Sequence, residues 1–166
     1  MPILDENTLE FISRSPEQTR RVGTRLGTML EFGDVVCLCG ELGAGKTTFA
    51  QGIVQGWGAI DTATSPTFVL VNSYSRPDGQ VINHLDAFRL QTTQEAEDLD
   101  LIDLLEKGIL LVEWPEKIRS ALPENNLWIE MNWIAEQQRR MVFFSHGEHY
   151  SWLLNKLREQ VYVGEL

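Results

Sequence analysis

The sequence predicts an α/β fold with a mostly parallel central sheet, helices on its flanks and some antiparallel strands. Three observations carry that expectation. First, Gly40-Glu41-Leu42-Gly43-Ala44-Gly45-Lys46-Thr47-Thr48 has the spacing G-x-x-x-x-G-K-[ST], with the apolar run Val35 to Cys39 before it and the helix-like run Thr47 to Gln55 after it. Strand, glycine loop and helix in that order is the context that confirms a phosphate-binding P-loop. Second, strand-length apolar runs alternate with segments of helical period along the rest of the chain. Third, Asp78-Gly79 is a hairpin signal between two strand-like runs, which adds antiparallel pairing. No repeat, low-complexity tract or linker interrupts the pattern, so residues 1–166 read as a single P-loop NTPase domain.

The chemistry explains the residue types. Gly40, Gly43 and Gly45 allow backbone conformations that turn several N–H groups toward one anion. The helix that follows adds its positive dipole end. Lys46 then reaches the β- and γ-phosphates, and Thr47 offers a hydroxyl to Mg²⁺.

Taken in order, Thr8 to Ser13 form a short first strand. Ser15-Pro16-Glu17-Gln18 then reads as an N-cap, a first-turn proline and the Gln of a capping box. The helix runs to about Leu30, with Val22, Leu26, Met29 and Leu30 on one face, and Gly33-Asp34 ends it. In the helix after the glycine loop, Phe49, Ile53 and Trp57 form a core stripe, and Gly56 and Gly58 stop the helix. Pro66 opens a strand over Phe68 to Val71 and leaves Thr67 on the loop before it, either as a turn hydroxyl closing on its own backbone or as a switch that senses the γ-phosphate or Mg²⁺.

Residues 68–86 are expected to form the hairpin, with Asp86 at its end. A further apolar strand, Ile109 to Val112, ends in Glu113. A P-loop enzyme needs an acid at a neighbouring strand end close to Mg²⁺, and Asp86 and Glu113 compete for that place. The more continuous apolar run favours Glu113. Between the two, Gln94 to Glu106 sets Leu99, Ile102 and Leu105 against an acidic face, which a solvated surface or a docking face would both explain. A helix is expected from Trp114-Pro115 to about Ala121. Ile129, Met131 and Trp133 alternate as a half-buried strand, and Met141 to Phe144 form another, preceded by Arg139-Arg140. His146-Gly147 turns into a last helix, with Tyr150, Leu153, Leu154 and Leu157 on one face.

Composition bounds the function. The formal net charge of −10 argues against a stand-alone nucleic-acid binder, which carries a basic face to displace counterions, and suits docking on a basic partner. No run approaches the ~18 apolar residues of a membrane span, and the acidic N-terminus is unlike a signal peptide, so a cytoplasmic location is expected. Cys37 and Cys39 lie two apart on one strand and are expected to pack as free thiols on the same face.

Four motifs in order extend the reading: Gly40 to Thr48, Ser65-Pro66-Thr67-Phe68, His84-Leu85-Asp86-Ala87-Phe88-Arg89-Leu90 and Val112-Glu113-Trp114-Pro115-Glu116. The series closely resembles the TsaE (formerly YjeE) family of small bacterial P-loop ATPases, over roughly residues 15–147. The resemblance implies a role in making N6-threonylcarbamoyladenosine at tRNA position 37, for tRNAs reading codons that begin with A. It implies TsaD and TsaB partners, with ATP hydrolysis resetting their complex and tRNA met mainly through it. By the same resemblance Glu41, Gly43, Ala44, Gly45, Lys46, Thr47, Thr48, Asp86 and Arg139 contact nucleotide. Thr47, Glu113 and Asp86 serve Mg²⁺, and Glu113, Lys46 and the switch residue Thr67 serve catalysis. A further nucleotide contact falls near Ser15 to Thr19. Phe88 departs from a frequent family Tyr, losing a hydroxyl and keeping the ring.

Two other classes fit the motif alone. A small-molecule kinase normally brings several lid arginines, and between Thr48 and Leu110 this chain has only Arg76 and Arg89. A non-catalytic ATP-dependent binding module is the other. A GTPase would need Asn-Lys-x-Asp; the sole Asn-Lys, Asn155-Lys156, is followed by Leu157-Arg158.

Overall fold

The computed structural model describes residues 6–60, 71–88, 90, 94–95 and 100–163. Among the described residues seven strands form one sheet: β1 (Thr8–Ser13), β2 (Val35–Cys39), β3 (Val71–Ser75), β4 (Val81–Asp86), β5 (Ile109–Glu113), β6 (Asn126–Ala135) and β7 (Gln138–His146). Their order across the sheet is β1-β7-β6-β2-β5-β4-β3. The helices are α1 (Pro16–Gly27), α2 (Lys46–Trp57), α3 (Leu101–Lys107) and α4 (Glu148–Val163).

The four central strands β6, β2, β5 and β4 run parallel, while β3 pairs antiparallel with β4, and β7 antiparallel with both β6 and β1. The sheet is therefore mixed, not mostly parallel. The reason lies in the connections. Hairpins join β3 to β4 and β6 to β7, and a tight turn can only reverse a strand. In the first hairpin Gly79, at φ 87°, donates its N–H to the Arg76 carbonyl, as the Asp78-Gly79 signal predicts.

Period-two alternation sorts the strand residues onto two faces. Val36, Leu38, Ile82, Leu111, Ile129 and Phe143 belong to one buried cluster with Leu26, Phe49, Ile53, Leu153 and Leu157 of α1, α2 and α4. On the other face Cys37, Leu85, Val112 and Trp128 pack with Leu101, Ile118 and Leu122. Cys37 and Cys39 are free and share that second face. Burial pushes both thiols up to about 12, so they stay protonated and unreactive at neutral pH.

Local signals place most elements where the sequence puts them. Ser15 caps α1 by accepting the Gln18 N–H at 3.1 Å, and Gln18 reaches back to the Arg14 N–H at 2.8 Å, one residue before the cap. Helix α1 ends at Gly27, short of Leu30. The segment after Glu113 forms two 3-10 turns, Pro115–Lys117 and Arg119–Ala121, in place of the expected helix. Helix α3 starts at Leu101, capped by Asp100; of the predicted Leu99-Ile102-Leu105 face, Leu105 packs against the core, Ile102 is 71% exposed with Leu101 buried in its stead, and Leu99 lies outside the described residues.

Gly56 does not stop α2; Gly58 does, as a left-handed C-cap at φ 100°. Gly56 belongs to a close crossing of α1 and α2. A Cβ on Gly23, Gly27, Gly52 or Gly56 would lie 2.1–2.5 Å from a carbonyl oxygen of the facing helix. Two glycine pairs, each spaced by four, let the backbones touch, and this seats α2 and the loop before it.

Candidate functional site

In open parallel sheets the carboxyl ends of the strands face the ligand crevice, at the point where strand order reverses. Here that point is β2, flanked by β5 on one side and β6 on the other. The glycine loop leaves β2 at Gly40 and enters α2 at Lys46. Gly43 and Gly45 have φ 81° and 97°, a region that side chains disfavour. Gly45 is the N-cap of α2 and supplies no side-chain cap, and a helix N-terminus with its dipole end turned to the loop suits an anion.

A cleft of about 400 Å³ opens over this loop. It gathers Gly43, Gly45, Lys46, Thr47 and Thr48 from the loop and α2, Asp86 and Glu113 from the ends of β4 and β5, and Trp114 and Arg139. Eight of the sequence-predicted residues thus meet in one place although they span almost a hundred positions. Glu41 sits exposed on the loop, and Ala44 is buried beneath it. Thr67 lies outside the described residues, as does Arg89.

Lys46 is buried, and its ammonium donates to the Gly40 carbonyl and lies 3.8 Å from the centroid of the Trp114 ring. Burial lowers its pKa from the usual ammonium range, while Glu113, Glu116 and Asp86 oppose that shift. Trp114 takes a left-handed backbone conformation, φ 59°, directly after Glu113. That turn sets its ring against Lys46 on one side and against Phe88, 4.9 Å away, on the other. Phe88 keeps the ring contact without a hydroxyl, and Lys117 donates to its carbonyl at 2.5 Å.

Asp86 and Glu113 occupy the same level, being register partners on β4 and β5. Burial raises the Asp86 pKa; a hydrogen bond from the Phe88 N–H opposes this, and the charge of Glu113 adds to it. Glu113 is 4% exposed, and its Oε2 lies 2.8 Å from Nε2 of His84. Sequence reading passed over His84. The available signal was a histidine two residues before Asp86 on a strand expected to lie in the sheet, since a buried polar ring needs a partner.

Arg139 crosses the loop from β7. Its Nε donates to the Gly43 carbonyl at 3.2 Å and its Nη1 to the Ala135 and Gln138 carbonyls, both at 2.9 Å. Arg140 points elsewhere, to Glu10 at 3.0 Å, which separates the two adjacent arginines. A small recess beside the loop is lined by Pro16, Thr19, Thr48, Gln137 and Arg139, where a contact from the Ser15–Thr19 region was expected.

Among the described residues no three His, Cys, Asp or Glu side chains converge as a metal cluster, and no helix is long and apolar enough to cross a membrane. His149 is engaged by Asp34, 2.8 Å away.

Residues 13–141 match the family model described as "Threonylcarbamoyl adenosine biosynthesis protein TsaE". The tRNA threonylcarbamoyladenosine biosynthesis protein TsaE of Bacillus subtilis is 34% identical over 151 residues, covering 90% of this chain and 93% of that protein. The protein of the same description from Streptomyces coelicolor is 38% identical over 138 residues, covering 80% and 93%. The crystal structure of Bacillus subtilis YdiB superposes with a TM-score of 0.77 at 28% identity, covering 96% of this chain and 99% of that one.

Proposed function

The chain belongs to the TsaE family of threonylcarbamoyl adenosine biosynthesis proteins, and on that footing we propose that it is an Mg-dependent ATPase, one P-loop domain over residues 1–166, serving tRNA modification. Its product pathway is N6-threonylcarbamoyladenosine at position 37 of tRNAs reading codons that begin with A. It works in the cytoplasm with TsaD-like and TsaB-like proteins, and hydrolysis resets their complex between turnovers. The acidic chain, with net charge −10, meets tRNA mainly through that complex.

The observation that carries this reading is the convergence on one cleft of Lys46, a helix N-terminus and two strand-end carboxylates. The loop N–H groups and Lys46 hold the phosphates; Thr48 and Arg139 border them. The hydroxyl of Thr47 and the carboxylates of Asp86 and Glu113 form a hard oxygen set that fits Mg²⁺, an ion that keeps waters and phosphate oxygens in its shell. Held there, Mg²⁺ would neutralise part of the phosphate charge. Glu113 also orients the attacking water. Thr67 enters as the switch hydroxyl on the family resemblance.

Repeated rounds of tRNA modification test the proposal. In a reconstituted system with TsaD and TsaB, ATP should sustain many rounds per complex, and a non-hydrolysable analogue no more than one. Equal support by the analogue would make this chain a binding module instead. Rapid phosphorylation of a nucleoside or sugar would make it a kinase.

A further inference from the structure

We infer that His84 is a positioning residue for the cleft: from inside the sheet it holds one oxygen of the Glu113 carboxylate, so that the other oxygen is presented to the cleft in a fixed orientation. The inference deepens the ATPase reading and rests on it for its kinetic consequence.

The geometry comes from strand register. β4 and β5 are parallel, with His84 opposite Leu111 and Asp86 opposite Glu113. Ile82, His84 and Asp86 alternate onto one face of β4, so His84 sits one step deeper than Asp86 and reaches diagonally to Glu113. It is 0% exposed, and its Nε2 lies 2.8 Å from Glu113 Oε2. Tyr74 covers it from β3, with ring centroids 6.1 Å apart.

The protonation pattern follows from the partners. With Glu113 as a carboxylate, Nε2 carries the proton and donates. Nδ1 is buried and has no hydrogen-bond partner among the described residues. A proton on Nδ1 in place of Nε2 would leave a buried donor unsatisfied and Glu113 without its hydrogen bond, so the proton that faces Glu113 is on Nε2. An imidazole placed among apolar neighbours is costly unless its one strong bond is made.

His84 does not line the cleft, whereas Glu113 does. It therefore acts through Glu113 and not on a ligand. A carboxylate pinned at one oxygen has lost its rotational freedom before any ligand arrives, and groups that orient a ligating side chain are typically worth 10–100-fold in affinity or activity.

The test compares His84→Leu and His84→Gln on wild-type and Glu113→Ala backgrounds, measuring ATP turnover with the partner proteins and binding of a fluorescent ATP analogue. His84→Leu should lower kcat by about 10–100-fold and leave nucleotide affinity within about threefold. His84→Gln, whose amide N–H can take the place of Nε2–H, should recover most of the loss. On the Glu113→Ala background His84→Leu should cost nothing further, because the two side chains act as a unit. Equal losses in the Leu and Gln variants, or an undiminished loss without Glu113, would overturn the inference by showing a packing role. A readout independent of activity is ¹⁵N NMR of His84, one of three histidines. The inference requires a proton on Nε2 that shifts in Glu113→Gln; a proton on Nδ1 overturns it. Wild-type protein that hydrolysed no ATP would defeat the ATPase reading alone, and the NMR result would still decide the pairing.

Discussion

Asp86 and Glu113 end two neighbouring parallel strands in exact-pair register, so two carboxyl groups face the same cleft beside the Lys46 ammonium. Neither alone accounts for the site. Glu113 is the more enclosed and is held by His84, while Asp86 is half-buried and bonded by the Phe88 N–H at 2.9 Å. The pair forms a concentrated negative spot that a cation would relieve.

Asp86 gives a pH prediction. Its folded-state pKa is raised above the ordinary 3.8 by burial first, with Glu113 adding to it. A carboxyl of this kind favours folding fully only below its unfolded value, and that contribution is lost as pH rises through the folded value. Asp86→Asn, which mimics the protonated state, should therefore melt higher than wild type at neutral pH without nucleotide or Mg²⁺. The difference should shrink as pH falls toward 3.8. Thermal melts across that range check it; a difference that grows on acidification would contradict the assigned cause.

Lys46→Ala should abolish measurable hydrolysis. The ammonium is a cation fixed in the cleft beside the Arg139 guanidinium, and losing one preorganised contact of that kind costs on the order of 10²–10³ in rate. Steady-state turnover measures it, and wild-type rates in the variant would remove Lys46 from the chemistry.

Glu113→Ala separates binding from rate. With the phosphate contacts of the loop intact, affinity for ATP should be largely spared while kcat falls. Direct nucleotide binding beside steady-state kinetics resolves this. Equal losses in both would make Glu113 chiefly a metal or structural residue.

The helix crossing reverses an ordinary rule. In an exposed helix, Gly→Ala gains about 1 kcal/mol of propensity. At Gly56 the new methyl would lie 2.1 Å from the Thr24 carbonyl oxygen, a backbone atom that cannot swing aside. Overpacking of this kind costs about 1–3 kcal/mol even where side chains yield. Gly56→Ala should therefore be destabilised by about 2 kcal/mol or more in urea unfolding. Unchanged or raised stability would refute the tight crossing.

These cases show what was legible in the sequence. The glycine loop, the Asp78-Gly79 hairpin and the Tyr150-Leu153-Leu154-Leu157 face follow from local spacing, and each stands where that spacing puts it. The His84–Glu113 bond joins residues 29 apart and depends on β4 being the neighbour of β5, which no local pattern specifies. Gly56 looks like a helix stop until α1 is laid against it. Alternation along β6 predicts Trp133 inward with Ile129 and Met131, yet Trp133 is 61% exposed. The reason is that β2 pairs with β6 only as far as Glu130, and beyond it β6 keeps β7 on one side but has lost β2 on the other.

The most direct measurement is Mg-ATP turnover by the purified chain, alone and with TsaD and TsaB. The account predicts slow hydrolysis alone and strong stimulation by the pair, as the partners complete a cleft that already holds Lys46, Asp86 and Glu113. No stimulation by partners shown to be competent would contradict it and leave a nucleotide-binding cleft without the proposed work.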